Sequence, residues 1–266
     1  MALTPERDPA APWPDRVNII GIGVSAASIP RALATFDGWI ASRARHYVCV
    51  ADVHAVMQAR WNPDLREVMN GAGMVTSDGM PLVWLCRQAR GSKVERVYGP
   101  DLLLAACADG LAKGRRQYFY GGAEGVADEL VSRLQARFPG IAIAGAYSPP
   151  FRPMTDDETQ AVVERINAAQ ADYVWVGLGA PKQEYLMRQL RPMLNAPVLL
   201  GVGAAFDFHS GAKPQAPKLL RDIGLEWLFR LTTEPARLWP RYSRVIPSFL
   251  YHVTRQKLAP ASYPLG

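Results

Sequence analysis

Apolar and polar positions along this chain fall into two alternating rhythms. Short, nearly continuous apolar runs occupy 17–24, 47–52, 73–77, 117–121, 141–147, 173–178 and 197–204. Between them lie longer stretches with apolar residues three and four apart, at 29–44, 53–70 (interrupted near Pro63), 80–90, 100–113, 123–138, 156–169 and 182–192. The short runs predict strands and the longer stretches predict helices. Their alternation predicts an α/β fold: a Rossmann-like, mostly parallel sheet with helices on both faces. Thr155-Asp-Asp-Glu158 reads as a capping box opening the 156–169 helix, which makes its paired acids caps rather than metal ligands. No internal repeat or low-complexity tract interrupts the pattern.

The rhythm changes after Gly211. Residues 216–233 and 234–257 read as helices, with no further strand. The last carries Leu238, Trp239, Tyr242, Val245, Ile246, Phe249 and Leu250 among Arg237, Arg241 and Arg244. Two readings stay open: an amphipathic helix packed on the body, or an interfacial helix with Trp239 and Phe249 in a headgroup layer. The expected organisation is a disordered, proline-rich lead-in over 1–14 that is no signal peptide, a catalytic unit over 15–211, a helical appendage over 212–258 and a tail over 259–266.

Composition narrows the class. The chain has 266 residues, 49% hydrophobic and 20% charged, ordinary values that support a substantial core. The longest apolar stretch, Ala196–Phe206, is too short and glycine-rich to span a bilayer. Cys49, Cys86 and Cys107 each sit in an apolar context and read as buried free thiols of a reducing compartment. The net charge of +6 is concentrated: 213–257 holds nine Lys/Arg against three acids, while the rest holds twenty-one of each sign. A basic tail on a neutral body suggests an anionic partner, whether lipid headgroup, diphosphate or nucleic acid. Its aromatics, with Pro235, Pro240 and Pro247 read as breaks, do not suit a groove-reading helix, so no nucleic acid is expected.

The most informative stretch is Tyr173-Val-Trp-Val176 followed by Gly177-Leu-Gly-Ala-Pro-Lys-Gln-Glu184. Gly177 and Gly179 permit a sharp turn at a strand end, and Pro181 suits the first position of a helix. Lys182, Gln183 and Glu184 then fall in a first turn whose N–H groups and dipole attract anions. This predicts a phosphate or nucleotide site. Similar glycine patterns follow Val17 and Val198, the second carrying Gly201 and ending at Asp207 with a ribose or sugar contact in view. Gly21-Ile-Gly-Val-Ser-Ala26 also matches a dinucleotide fingerprint. An NAD(P)-dependent oxidoreductase using Gly21, Gly23 and Ala26 is therefore the alternative, although Asp52, its nearest acidic partner, lies further along than the roughly 20 positions expected.

Other candidates lie at the same predicted strand edge. Asp78, in Thr76-Ser-Asp-Gly-Met-Pro81, is either a turn former or a reactive carboxylate. Arg96 precedes Gly99-Pro-Asp101, where it could meet a phosphate and Asp101 could simply favour a helix start. Asp52 and His54 leave the 47–52 strand. His46, His209 and His252 have no metal-ligand spacing, and no Walker loop, Gly-x-Ser-x-Gly, CxxC or Asp-x-Asp is present.

Together these motifs resemble one family. Ser77-Asp-Gly-Met-Pro81, Arg96-Val-Tyr-Gly-Pro-Asp101, Gly177–Glu184, Gly201-Val-Gly-Ala-Ala-Phe-Asp207 with Gly211, and Gly224-Leu-Glu-Trp-Leu-Phe-Arg230 followed by Glu234-Pro-Ala-Arg237 occur in order. The chain is similar in this to the WecG/TagA/CpsF glycosyltransferases of bacterial cell-surface polymer synthesis, over about residues 17–245. The resemblance implies an inverting, metal-independent transferase without a cofactor. Its donor would be a UDP-sugar, and its acceptor a polyprenyl-diphosphate-linked sugar at the cytoplasmic membrane's inner face. It also implies Asp78 as general base, Arg96 and Gln183 at the donor site, and Arg230 and Arg237, with Arg241, as basic residues of the appendage toward the lipid diphosphate. A homo-oligomer is compatible with it. The chain departs from the pattern at Val50 and Asp52, where some members have Thr and Asn, and at Pro240, where a basic residue is frequent.

Overall fold

A computed structural model describes residues 14–265. The expected lead-in lies outside the described residues apart from Pro14, which is buried. The strands are β1 (Arg16–Ile19), β2 (Ile22–Ser25), β3 (His46–Ala51), β4 (Met74–Ser77), β5 (Gln117–Gly121), β6 (Ile143–Tyr147), β7 (Tyr173–Gly177) and β8 (Val198–Gly201). The helices are α1 (Ile29–Ser42), α2 (Val53–Trp61), α3 (Pro63–Asn70), α4 (Met80–Arg90), α5 (Gly99–Ala112), α6 (Val126–Arg137), α7 (Asp156–Ala168), α8 (Lys182–Leu190), α9 (Ala205–His209), α10 (Lys218–Asp222), α11 (Glu226–Thr233) and α12 (Pro235–Leu258).

Six strands form one parallel sheet in the order β4-β3-β8-β7-β5-β6. Successive side chains of a strand point to opposite faces, and here they enter two separate cores. Tyr47, Cys49, Tyr118, Tyr120, Val174, Val176 and Leu199 join one. Val48, Phe119, Tyr173, Trp175, Val198 and Leu200 join the other. Burial on both faces is why these strands read as continuous apolar runs rather than as alternation. Helix starts follow local capping chemistry: Asp52 caps α2, Asn62 caps α3, and Thr155 with Glu158 forms the expected capping box of α7.

The first glycine pattern is not part of this sheet. Residues 17–24, expected as one strand, fold as an antiparallel hairpin of β1 and β2 turning at Ile20 and Gly21, both with positive φ (47° and 93°). The hairpin's N–H groups are already engaged: Gly21 donates to Asn18 Oδ1 at 2.8 Å and Gly23 to Asn70 Oδ1 at 2.9 Å. No helix opens at Gly23, since α1 begins at Ile29. The Gly21, Gly23, Ala26 loop therefore has neither the helix N-terminus nor the free donors that a dinucleotide needs, and the oxidoreductase reading loses its site.

The C-terminal region differs from its expected two helices. Residues 216–233 split into α10 and α11 around Gly224, and the short α9 follows β8. Pro240 and Pro247 lie inside α12 rather than ending it. Leu238, Val245 and Phe249, at spacings of seven and four, form its buried stripe. Phe249 is thus a core residue and not an interfacial one. Near its end α12 is clipped to the hairpin. Gln256 Oε1 accepts from Ile20 N at 2.8 Å, and Gln256 Nε2 donates to Asn18 O at 3.0 Å. Asn18 Nδ2 in turn donates to the carbonyl of the buried Tyr263 at 2.7 Å.

Candidate active site

The carboxyl ends of the parallel strands deliver Asp52, Asp78, Gly177 and Gly203 to one edge, the usual location of ligands in open α/β sheets. A cleft of about 1400 Å³ opens there, closed on one side by α4, α11 and α12. Asp52, His54, Asp78, Arg96, Gly177, Gly179, Lys182, Gln183, Asp207, Arg230, Arg237 and Arg241 all line it. Glu184, Gly201 and Asp101 do not.

Asp78 sits on the floor. It immediately follows β4, and its N–H donates to Ala51 O at 2.9 Å, holding the residue against the neighbouring strand end. Arg96 wraps it: Nη2 donates to Asp78 Oδ1 at 3.1 Å, and Nε donates to the Asp78 carbonyl. The same Nη2 donates to Glu226 Oε2 at 2.7 Å, and Nη1 reaches Arg221 O at 3.1 Å. Tyr98 lies under the guanidinium, 4.1 Å from its ring centre, and its hydroxyl donates to Glu226 Oε1 at 2.9 Å. Desolvation pushes the Asp78 carboxyl up to about 7; Arg96 pulls it down, while Glu226 and Asp52 add to the rise. The side chain keeps 21% exposure and lines the cleft. It is ringed by protein yet reachable by a substrate.

The Gly177 loop behaves differently from its expected design. Gly177 is required sterically, because a Cβ there would lie 2.6 Å from the buried Phe206 ring. Pro181 precedes α8 as its N-cap rather than occupying its first turn. Gln183 is 3% exposed, and its Oε1 accepts from both Gly179 N (3.2 Å) and Gly203 N (3.0 Å). It therefore clamps the loop after β7 to the loop after β8. Its Nε2 donates to Glu184 Oε1 at 3.0 Å. Glu184 lies behind it, 2% exposed, with burial pushing its carboxyl up to about 7. Lys182 turns the other way, with its ammonium 5.1 Å from the ring centre of the fully exposed Phe151. Gly201 ends β8 behind this clamp.

The remaining candidates divide between rim and exterior. Asp52 accepts from Ala55 N at 2.8 Å as the α2 cap while facing the cleft. His54 is lowered below its ordinary 6.5, mainly by burial, with Asp52 opposing and Arg241 assisting, so it is neutral at pH 7. Asp207 lies on α9 and pairs with Lys213 at 2.6 Å. Asp101 is outside the cleft, in the first turn of α5, and pairs with Arg221 at 3.1 Å. Arg237 pairs with Glu234 at 2.5 Å. Among the described residues seven Lys/Arg and four carboxylates line the cleft, a balance suited to an anionic substrate.

The glycosyl transferase WecG/TagA/CpsF family model matches residues 17–263, nearly the whole chain. The chain belongs to the WecG/TagA/CpsF family of glycosyl transferases. Among curated relatives, the N-acetylglucosaminyldiphosphoundecaprenol N-acetyl-beta-D-mannosaminyltransferase of Bacillus spizizenii is 32% identical over 215 residues, covering 81% of each chain. The protein is accordingly a glycosyltransferase, and its cleft is the candidate site of transfer.

Three residues of this transferase's cleft were not anticipated as site residues from the sequence. Glu226 and Tyr98 reach it within motifs whose other members drew attention, Arg230 and Arg96. Phe151 stands in Pro149-Pro150-Phe-Arg-Pro153, where the run of prolines around one aromatic was the available signal.

Proposed function

We propose that this glycosyltransferase moves a hexose or N-acetylhexosamine, or the corresponding uronate, from a UDP-sugar to a polyprenyl-diphosphate-linked sugar, with inversion and without a metal. The relative's name, with its diphosphoundecaprenol-linked N-acetylglucosamine acceptor, supports the acceptor class. The observation that carries the reading is Asp78: a carboxyl raised to about 7 on the floor of a cleft whose other walls bear Lys182, Arg230, Arg237 and Arg241. A base is most effective near the working pH. Asp78 takes the proton of the acceptor hydroxyl. The oxygen attacks the anomeric carbon from the face opposite UDP, and the bond to the diphosphate breaks with its electron pair leaving on UDP.

Fixed cations stabilise that leaving charge. Gly179 and Gly203 N–H groups do not serve, since Gln183 accepts them. The side chains of Lys182 and the α11 and α12 arginines are the available donors, and Phe151 beside Lys182 offers a flat apolar face to a base. No helix among the described residues is long and apolar enough to cross a membrane. A peripheral position on the cytoplasmic membrane's inner face is part of this reading, supported by exposed apolar residues such as Trp239 and by the basic α12.

Titration of the protein with UDP in EDTA, with NAD in a parallel cell, tests the donor class. UDP heat without metal, and no NAD heat, is expected. UDP binding that requires added magnesium would remove the metal-independent reading. Asp78→Asn is expected to abolish transfer from UDP-sugars to N-acetylglucosaminyl diphosphoundecaprenol while sparing UDP binding, and an active Asn variant would take Asp78 out of the base role.

A further inference from the structure

Two carboxylates share one guanidinium at the centre of the cleft, and only one of them is accounted for by the reaction. Glu226 opens α11, is 9% exposed, and receives hydrogen bonds from Arg96 Nη2 (2.7 Å) and Tyr98 OH (2.9 Å), the latter braced by Gln215 Nε2 at 3.2 Å. A carboxylate this buried is retained at a cost unless its partners are fixed. The backbone is shaped to bring it there. Gly224 has φ 79°, and a Cβ at that position would come within 3.0 Å of Met80 in the first turn of α4, just after Asp78. The turn into α11 therefore lies directly against the segment that carries the candidate base.

We propose that Glu226 is a positioning residue for Asp78: from the C-terminal helices it shares the one guanidinium nitrogen, Nη2, that donates to the Asp78 carboxyl, while Nε and Nη1 are spent on the Asp78 and Arg221 carbonyls. The inference rests on the reading of Asp78 as the base. A lone Arg–carboxylate pair with both forks engaged holds the carboxyl ionised and weakly basic. Glu226 competes for the same Nη2 and adds a negative charge nearby. The charged and titratable groups facing Asp78 are Arg96 from the loop before α5, Glu226 from α11, Asp52 from the start of α2, and the Tyr98 hydroxyl. Of these, only Glu226 belongs to the segment after Gly211. The basicity of Asp78 is thereby tied to docking of the C-terminal helices, because undocking would remove Glu226 and leave Arg96 to Asp78 alone.

The test is a carbon-13 titration of the Asp side-chain carboxyls in the full-length protein, with the Asp78 signal assigned by its loss in Asp78→Asn. The parent should titrate near 7. Glu226→Gln, which keeps the shape and removes the charge, should lower that midpoint by about one unit or more, and the acid limb of the transfer rate should move down with it. Glu226→Ala should do the same, and supplies the answer if the Gln variant does not fold. Glu226→Asp should keep the midpoint near that of the parent. A midpoint unchanged in folded Glu226→Gln or Glu226→Ala overturns the proposal, since a merely structural Glu226 would alter stability without moving the titration. Transfer activity surviving in Asp78→Asn would instead overturn the base assignment, and the carboxyl titration would still report whether Glu226 sets the ionisation of Asp78.

Discussion

At the scale of single residues, burial of Asp78 links activity and stability with opposite signs. Its folded-state value of about 7 lies above the ordinary 3.8, so between these two values the folded chain holds a proton that the unfolded chain has released. The stabilisation from that proton is complete below about 3.8 and is lost as pH rises through about 7. The ionised form that the proposed base role requires accumulates over the upper part of the same range. The rate kcat/KM should therefore climb with pH through about 7, while Asp78→Asn, which cannot ionise, should gain Tm relative to the parent as pH rises from about 4 to about 7 and then level off. Parallel Tm profiles for the two proteins would show that the carboxyl is not desolvated. Gly177 makes a second prediction of this kind. Its missing Cβ leaves room for the buried Phe206 ring. Gly177→Ala should cost about 1–3 kcal/mol by overpacking, read by denaturant unfolding. A cost below half a kcal/mol would mean that the ring shifts freely.

At the scale of elements, the sheet and its helices were legible because the central strands are buried on both faces and helices such as α3 and α7 carry an apolar period and a side-chain cap. The Thr155–Glu158 box and the break at Pro63 were read correctly for those reasons. The β1–β2 hairpin was not, because a Gly-x-Gly between β-branched residues suits a tight hairpin turn as well as a strand end. What separates the two is the long-range partner Asn70. Pro240 and Pro247 misled in the other direction, since packing of α12 on the body outweighs their local penalty. Most of the named cleft residues do meet at one edge, yet the direction of each side chain was hidden. Lys182, Gln183 and Glu184 are adjacent in sequence, but one faces Phe151, one ties two loops and one is buried. The clamp yields its own expectation. Gln183→Leu leaves the Gly179 and Gly203 N–H groups without their acceptor, at about 1–3 kcal/mol for each one that stays buried. UDP affinity should fall along with stability, because both loops border the cleft. UDP binding unchanged in calorimetry would mean that the loops hold their shape without the amide.

At the scale of the whole molecule, the question is how an enzyme without a described spanning helix would reach the lipid-linked acceptor proposed for it. Trp239, Ile246 and Leu250 follow one residue behind the buried Leu238, Val245 and Phe249, so α12 carries an exposed apolar stripe beside its packed one. Ile246 and Leu250 also border the cleft, and Trp239 extends the stripe beyond it, 64% exposed. The arginines of the same helix and the excess positive charge of 213–257 accompany this stripe. An apolar edge with basic neighbours is the composition of a surface that settles on anionic lipid, and here it would place the cleft mouth at the headgroups. The protein should then bind phosphatidylglycerol vesicles but not phosphatidylcholine vesicles, with affinity falling as salt is raised. Trp239→Ser should weaken vesicle binding about tenfold or more, the loss expected when a large side chain worth roughly 1.5–3 kcal/mol no longer leaves water. Because Trp239 is outside the cleft lining, UDP affinity should not change. Vesicle binding that survives the substitution and responds to salt alone would assign the attraction to the arginines and leave the apolar stripe without a lipid role.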